Sequence, residues 1–177
     1  MKKKVILFFC ILIFVYAAGG TIYYIATREK KDDKPIVTNK DTIKGYDYAL
    51  KSNATKLYED EFKTLKANLE GDINYDEYAV SIAKLFVIDL YTINNKINKY
   101  DTGGASFVYP DGRDNYKLNV QDTIYKYVED NTNGKRTQNL PEVSSVIVKD
   151  SKKVTYKIGD NSFEAYKINL EWSYVQD

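Results

Sequence analysis

Asp76–Ile97 reads DEYAVSIAKLFVIDLYTINNKI, and this stretch decides the fold of everything beyond the amino-terminal segment. Tyr78, Ile82, Phe86, Leu90, Ile93 and Ile97 recur at helical spacing and form one stripe. Ala79, Ala83, Leu85, Val87 and Ile88 widen that stripe around most of the circumference. A helix that is apolar nearly all round is covered on several sides, so the other elements must be arranged about it. Asp89 interrupts its most apolar part, Leu85–Tyr91. A buried carboxylate must be paired, hydrogen-bonded or protonated, and clefts are where such groups do chemistry. The alternative is that Asp89 lies on a narrow exposed strip or accepts a bond from a neighbouring backbone group or tyrosine.

Upstream, Leu57, Tyr58, Phe62, Leu65 and Leu69 predict a helix beginning near Asn53, capped by Ser52 or Asn53 and stopped at Gly71. The charged residues between them are a solvated face. Before it, Tyr46, Tyr48 and Leu50 alternate with polar residues, as in a short extended segment. Downstream, Asn98–Arg113 carries Gly103-Gly104 and Pro110-Asp111-Gly112 and reads as loop. A third helix is expected over Asn115–Asp130 on Leu118, Val120, Ile124, Tyr127 and Val128. After Pro141 the period changes to two. Val143, Val146 and Val148 mark one strand; Val154, Tyr156 and Ile158 mark a second. A turn at Gly159-Asp160-Asn161 leads to a third strand on Tyr166, Ile168, Leu170, Trp172 and Tyr174. The pattern is α+β: three helices on a curved antiparallel sheet of three to four strands, one face on the core and one in water.

The amino terminus is a different kind of sequence. Lys2, Lys3 and Lys4 precede Val5–Ala26, which holds no charged residue over 22 positions. As a helix it spans roughly 33 Å, enough for a hydrocarbon core of about 30 Å. Val15-Tyr16-Ala17 is a passable signal cleavage site, but the apolar run continues to Ala26, so a retained transmembrane anchor is expected. Phe8 and Phe9 before Cys10 argue against a lipidated cysteine. Lysines and arginines flank both ends, so charge does not orient the segment. Long downstream domains translocate largely regardless of charge, which favours the amino end inside and the domain outside. Positions 27–42 read as a polar linker, leaving 43–177 as one extracytoplasmic domain.

Composition mainly excludes. Beyond the seven basic and three acidic residues of positions 1–34, 19 basic and 22 acidic remain, which is no footprint for nucleic acid. The wealth of Lys, Asn, Ile and Tyr matches the coding bias of an AT-rich, bacterial genome. The absence of histidine removes Ser-His-Asp and Cys-His systems and the usual zinc sites. No cofactor and no metal site are expected. Ser81-Ile82-Ala83-Lys84 has the S-x-x-K spacing but lacks its partner motifs. Gly134-Lys135 lacks the rest of a phosphate loop, and Leu140 stands where a calcium loop needs its last glutamate.

With an anchor, a linker, helices first and then an antiparallel meander with a long aromatic last strand, residues 43–175 resemble the cystatin-like α+β cone of the nuclear transport factor two superfamily. Within it, they are most similar to the bitopic inner-membrane scaffold subunits of type IV secretion and conjugation systems. The chain departs from that pattern by ending just after the third strand, where the family usually has a fourth, so either a partner strand pairs at the open edge or the sequence is incomplete. The resemblance implies a membrane-anchored interaction or scaffold domain outside a Gram-positive-type cell membrane, with a protein partner or a second copy. It also leaves open a small-ligand-binding or lyase-like domain. That domain would use the interior of the cone, with Asp89 as acid or base and Tyr91, Tyr166 and Trp172 as walls.

Overall fold

The structure, a computed structural model, describes residues 37–176. The anchor expected over Val5–Ala26 therefore lies outside the described residues. Among those described, no helix is long and apolar enough to cross a membrane.

The described chain opens with a small hairpin, β1 (Asn39–Thr42) and β2 (Ala49–Lys51), paired antiparallel with Thr42 opposite Ala49. The polar linker expected to reach Thr42 thus ends sooner. Strand pairing needs only backbone groups, and Ile43 and Leu50 beside it supply the buried apolar side chains. Helix α1 covers Lys56–Glu70 and buries Tyr58, Phe62 and Leu65, while Gly71 ends it as the sequence suggests. Its cap is Thr55, whose side chain accepts from the Tyr58 amide, and not Ser52 or Asn53. Helix α2 covers Tyr75–Tyr91, capped by Asn74, which accepts from the amides of Asp76 and Glu77. It stops six residues before the expected Ile97. The amides of Ile93 and Asn94 turn to the carbonyl of Pro141, at 2.8 and 3.1 Å, so the helical ladder has no continuation.

Two short 3₁₀ turns, Ala105–Phe107 and Pro110–Gly112, lead into α3, Arg113–Asp122. This helix also ends early, against the expected Asp130. Past Val120 the amides of Thr123 and Tyr125 both turn to the Val120 carbonyl, and the helical period is lost. Ile124 and Tyr127 consequently face solvent, and Tyr125 takes the fully buried place instead; Leu118, still within the helix, lies on its exposed face.

The last element is a long antiparallel ribbon, β3 (Val143–Ile158) and β4 (Asn161–Tyr174), turned at Gly159-Asp160. The expected sheet of three to four strands is therefore corrected: the strands form two separate two-stranded sheets, β1–β2 and β3–β4. The two strands expected over Val143–Val148 and Val154–Ile158 are one, because Lys149–Lys153 contains neither glycine nor proline to turn the chain. The overall class stands as mixed α+β with three helices. Its core lies between α1, α2, the first hairpin and the base of β3, around Phe62, Leu65, Leu85, Ile88 and Val143. A second cluster joins Leu90 and Ile93 to Val120 and Tyr125.

Candidate functional site

Two surfaces flank α2, and the four residues expected to share one interior divide between them. On one side, Asp89 sits at the end of the helix with its side chain 18% exposed, 2.5 Å from the Nζ of Lys96, itself 2% exposed. Its other oxygen accepts from the Gly104 amide at 2.7 Å. Burial works to raise the Asp89 pKa; the Lys96 charge and hydrogen bond, the Gly104 amide and the nearby Lys51 outweigh it and hold the carboxyl below its ordinary value. Asp89 is therefore ionised at neutral pH and fully engaged, the paired arrangement that burial of a carboxylate demands.

Sequence reasoning missed its partners. Apolar spacing alone puts Lys96 inside a helix that in fact ends before it, and Gly103-Gly104 reads only as loop. Arg136, in the turn after α3, fastens the same loop by donating to the carbonyls of Asn94, at 2.7 Å, and Lys96, at 2.9 Å. A cavity of about 200 Å³ adjoins Asp89, with Lys51, Asn53, Tyr58 and Asn95 among its lining. Asn53 and Asn95 clasp each other there, each side-chain amide donating to the other's backbone carbonyl, at 2.7 and 3.0 Å. Their side-chain oxygens are buried without a hydrogen-bond partner.

On the other side of α2 lie Tyr91, Trp172 and Tyr166. Tyr91 stacks on Trp172, ring centroids 4.7 Å apart and planes 20° from parallel. Tyr166 donates to Asp76 at 2.6 Å at the far end of the helix. Between α2 and β4 runs an aromatic trough of about 750 Å³ whose walls include Tyr78, Ile82, Phe86, Leu170 and Trp172. The stripe that made α2 look apolar all round is here only half covered. Trp172 is the chain's one tryptophan, so its emission reports how the ribbon seats on α2. Tyr91→Ala is expected to shift that emission to the red and to cost about 0.5–1.5 kcal/mol beyond lost area. Fluorescence-detected urea unfolding measures both.

The ribbon itself is the third feature. At about 3.3 Å per residue its longer strand reaches roughly 50 Å. At its base, Val146 faces Trp172 and Val148 faces Leu170, on the side packed toward α2. A bulge between Val148 and Asp150 then shifts the register. Beyond it Val154 pairs with Ala165 and Tyr156 with Phe163, on the opposite face. One unbroken alternation in β3 is thus split into two apolar patches facing opposite ways. The base patch docks on the helix. The tip patch is open, with Tyr156 59%, Ile158 56% and Phe163 49% exposed.

Among the described residues no group of histidine, cysteine, aspartate or glutamate side chains is placed to hold a metal ion. No family model matches the chain, and neither the curated proteins nor the solved structures compared with it include a match.

Proposed function

We propose that this chain is a membrane-anchored, extracytoplasmic interaction domain, a scaffold component of an envelope or secretion assembly. The observation that carries the reading is the ribbon, with its length, its outer strand edges unpaired among the described residues, and its exposed apolar tip. A two-stranded ribbon is marginally stable alone in water, and open edges and apolar tips are what partner chains cover. The tether is supported by the uncharged run Val5–Ala26 behind three lysines. The resemblance to the cystatin-like cone of the membrane-anchored scaffold subunits fits the same picture. The small-ligand or lyase-like alternative has the cavity beside Asp89 in its favour. It has less to stand on, since Lys96 and the Gly104 amide already engage that carboxylate.

The test is affinity purification of the full-length chain in mild detergent from crosslinked native membranes, beside the double variant Tyr156→Ser/Phe163→Ser and an anchor-deleted control. Membrane or envelope proteins in stoichiometric amount, lost from the ribbon-tip variant, are the expected result. Recovery of the chain without other envelope proteins would overturn the reading.

A further inference from the structure

The two outer edges of the ribbon differ. Each strand has one neighbour among the described residues, so one edge of β3 and one of β4 are open. The β3 strand carries Lys149, Lys152, Lys153 and Lys157 and is broken by the bulge, two devices that discourage pairing with another strand. The β4 strand has one lysine, Lys167, and none of that protection. Beside β4, on its helix-facing side, lies the aromatic trough that the domain's own elements leave half covered. A further strand hydrogen-bonded to β4 would lay its apolar side chains there.

We infer that this edge of β4 is an isologous interface: two copies of the chain pair their β4 strands antiparallel about a two-fold axis at Asn169, joining two ribbons into one four-stranded sheet. The inference deepens the reading above and rests on the ribbon being an interaction element. The occupant follows from the sequence of the strand. Residues opposed across an antiparallel pair lie on the same face, so a two-fold axis that preserves the faces must be centred on a residue. Centred on Asn169, Lys167 opposes Glu171 twice, Tyr166 opposes Trp172 twice and Ile168 opposes Leu170 twice. Opposite charges and aromatic pairs at directly opposed positions are the favourable cross-strand combinations.

Neighbouring registers lose this. Centring on Ala165, Tyr166, Ile168 or Leu170 opposes neither Lys167 to Glu171 nor Lys167 to Glu164. Centring on Lys167 or Glu171 sets that charge against its own copy. Glu171 already accepts Lys149 of its own ribbon at 2.8 Å, and a carboxylate has capacity for a second ammonium. In the paired state each β4 gains the backbone partners its open edge lacks. Each trough is covered by the helix-facing side chains of the other copy.

The experiment is disulfide trapping of the full-length chain in native membranes, with Cys10, the chain's one cysteine, replaced by serine. Opposed residues in such a pair have Cα atoms about 4.5–5.5 Å apart, within the range a disulfide spans. Asn169→Cys is expected to give a disulfide-linked homodimer under mild oxidation, and Lys152→Cys on β3 is not. Lys167→Glu in the Asn169→Cys background is expected to reduce the dimer to background, and adding Glu171→Lys to restore it. Far-UV circular dichroism and a cooperative urea transition of each purified variant check that it remains folded. The inference is overturned if the folded Asn169→Cys chain stays monomeric, crosslinks chiefly to another protein, or dimerises no better than Lys152→Cys. It also falls if charge reversal has no effect. Envelope partners recovered from a chain that fails this trapping would leave the interaction reading standing and remove only the second copy.

Discussion

Asp89→Ala is expected to destabilise the domain by about 3–5 kcal/mol, because it leaves the Lys96 ammonium buried and unpaired. Lys96 is 2% exposed and 2.5 Å from the carboxylate, so the ammonium loses its only close acceptor among the described residues. Water entering through the adjoining cavity offsets part of that loss and sets the cost toward the lower end of the range. The same substitution orphans the Gly104 amide, which donates to Asp89 at 2.7 Å. Replacing the pair together, as Asp89→Leu/Lys96→Met, is expected to recover much of the loss, since an apolar pair of similar size removes both charges at once. It does not recover the whole, because the Gly104 amide still lacks an acceptor. Urea unfolding of Asp89→Leu, Lys96→Met and their double variant gives the coupling directly. Single variants within about 0.5 kcal/mol of wild type would refute the structural role assigned to the pair.

The same pair sets a pH dependence. The folded-state pKa of Asp89 is lowered from its ordinary value near 3.8. Its contribution to stability is therefore fully present above that ordinary value. It is lost as pH falls toward and through the lower folded value. Stability from pH 5 to 7 should be flat with respect to this group and should fall below about pH 4. Asp89→Asn is expected to start lower and to show a shallower acid limb. Such a profile is that of an ion-pair partner: a carboxyl that stays ionised at neutral pH has no proton to give as a general acid.

What the sequence discloses, and what it hides, divides at particular residues. The apolar periodicity of α2 is legible because burial leaves a trace in every turn, and Gly159 marks a turn because its left-handed backbone, φ +58°, is a local property. Gly71 coincides with the end of α1 but in extended backbone that any residue adopts. What is not legible depends on distant partners. Nothing within a few residues of Tyr91 says that α2 must stop; the acceptor for the next amides is Pro141, far along the chain. Tyr125 is buried in place of Ile124 and Tyr127 because the helix unwinds at Val120. The alternation of β3 runs through the bulge without a break, so only the observed register shows that its two halves face opposite ways. For the site, the apolar setting of Asp89 marks it as a residue that has to be satisfied, and the structure satisfies it. Its partners, Lys96 and the Gly104 amide, are hidden from the sequence, and Tyr91, Tyr166 and Trp172 lie on the other side of the helix.

The glycine pair that closes on Asp89 yields the other large effect. Gly103→Ala is expected to cost about 3 kcal/mol or more, at the upper end of overpacking losses. A Cβ at this position would stand 2.0 Å from the Asp89 carbonyl oxygen and 2.8 Å from the Tyr125 hydroxyl. The first of these is backbone in the last turns of α2, which cannot swing aside as a long side chain would. The loop has to move instead, and three contacts move with it. These are the Gly103 amide to Tyr125, the Tyr116 hydroxyl to the Gly103 carbonyl, and the Gly104 amide to Asp89. Two other glycines separate this crowding from a general loss of glycine. Gly134 has φ +66° and nothing within 4 Å of where a Cβ would stand, so Gly134→Ala carries only the left-handed backbone penalty of about 1 kcal/mol. Gly71 has neither a positive φ nor a close neighbour, and Gly71→Ala is expected to be nearly neutral. The order of loss, Gly103 above Gly134 above Gly71, is measurable by urea unfolding. Hydrogen exchange at the amides of Gly103 and Gly104 should rise in parallel for the first variant. A Gly103→Ala variant as stable as Gly71→Ala would mean that the loop does not close on α2 as tightly as these distances require.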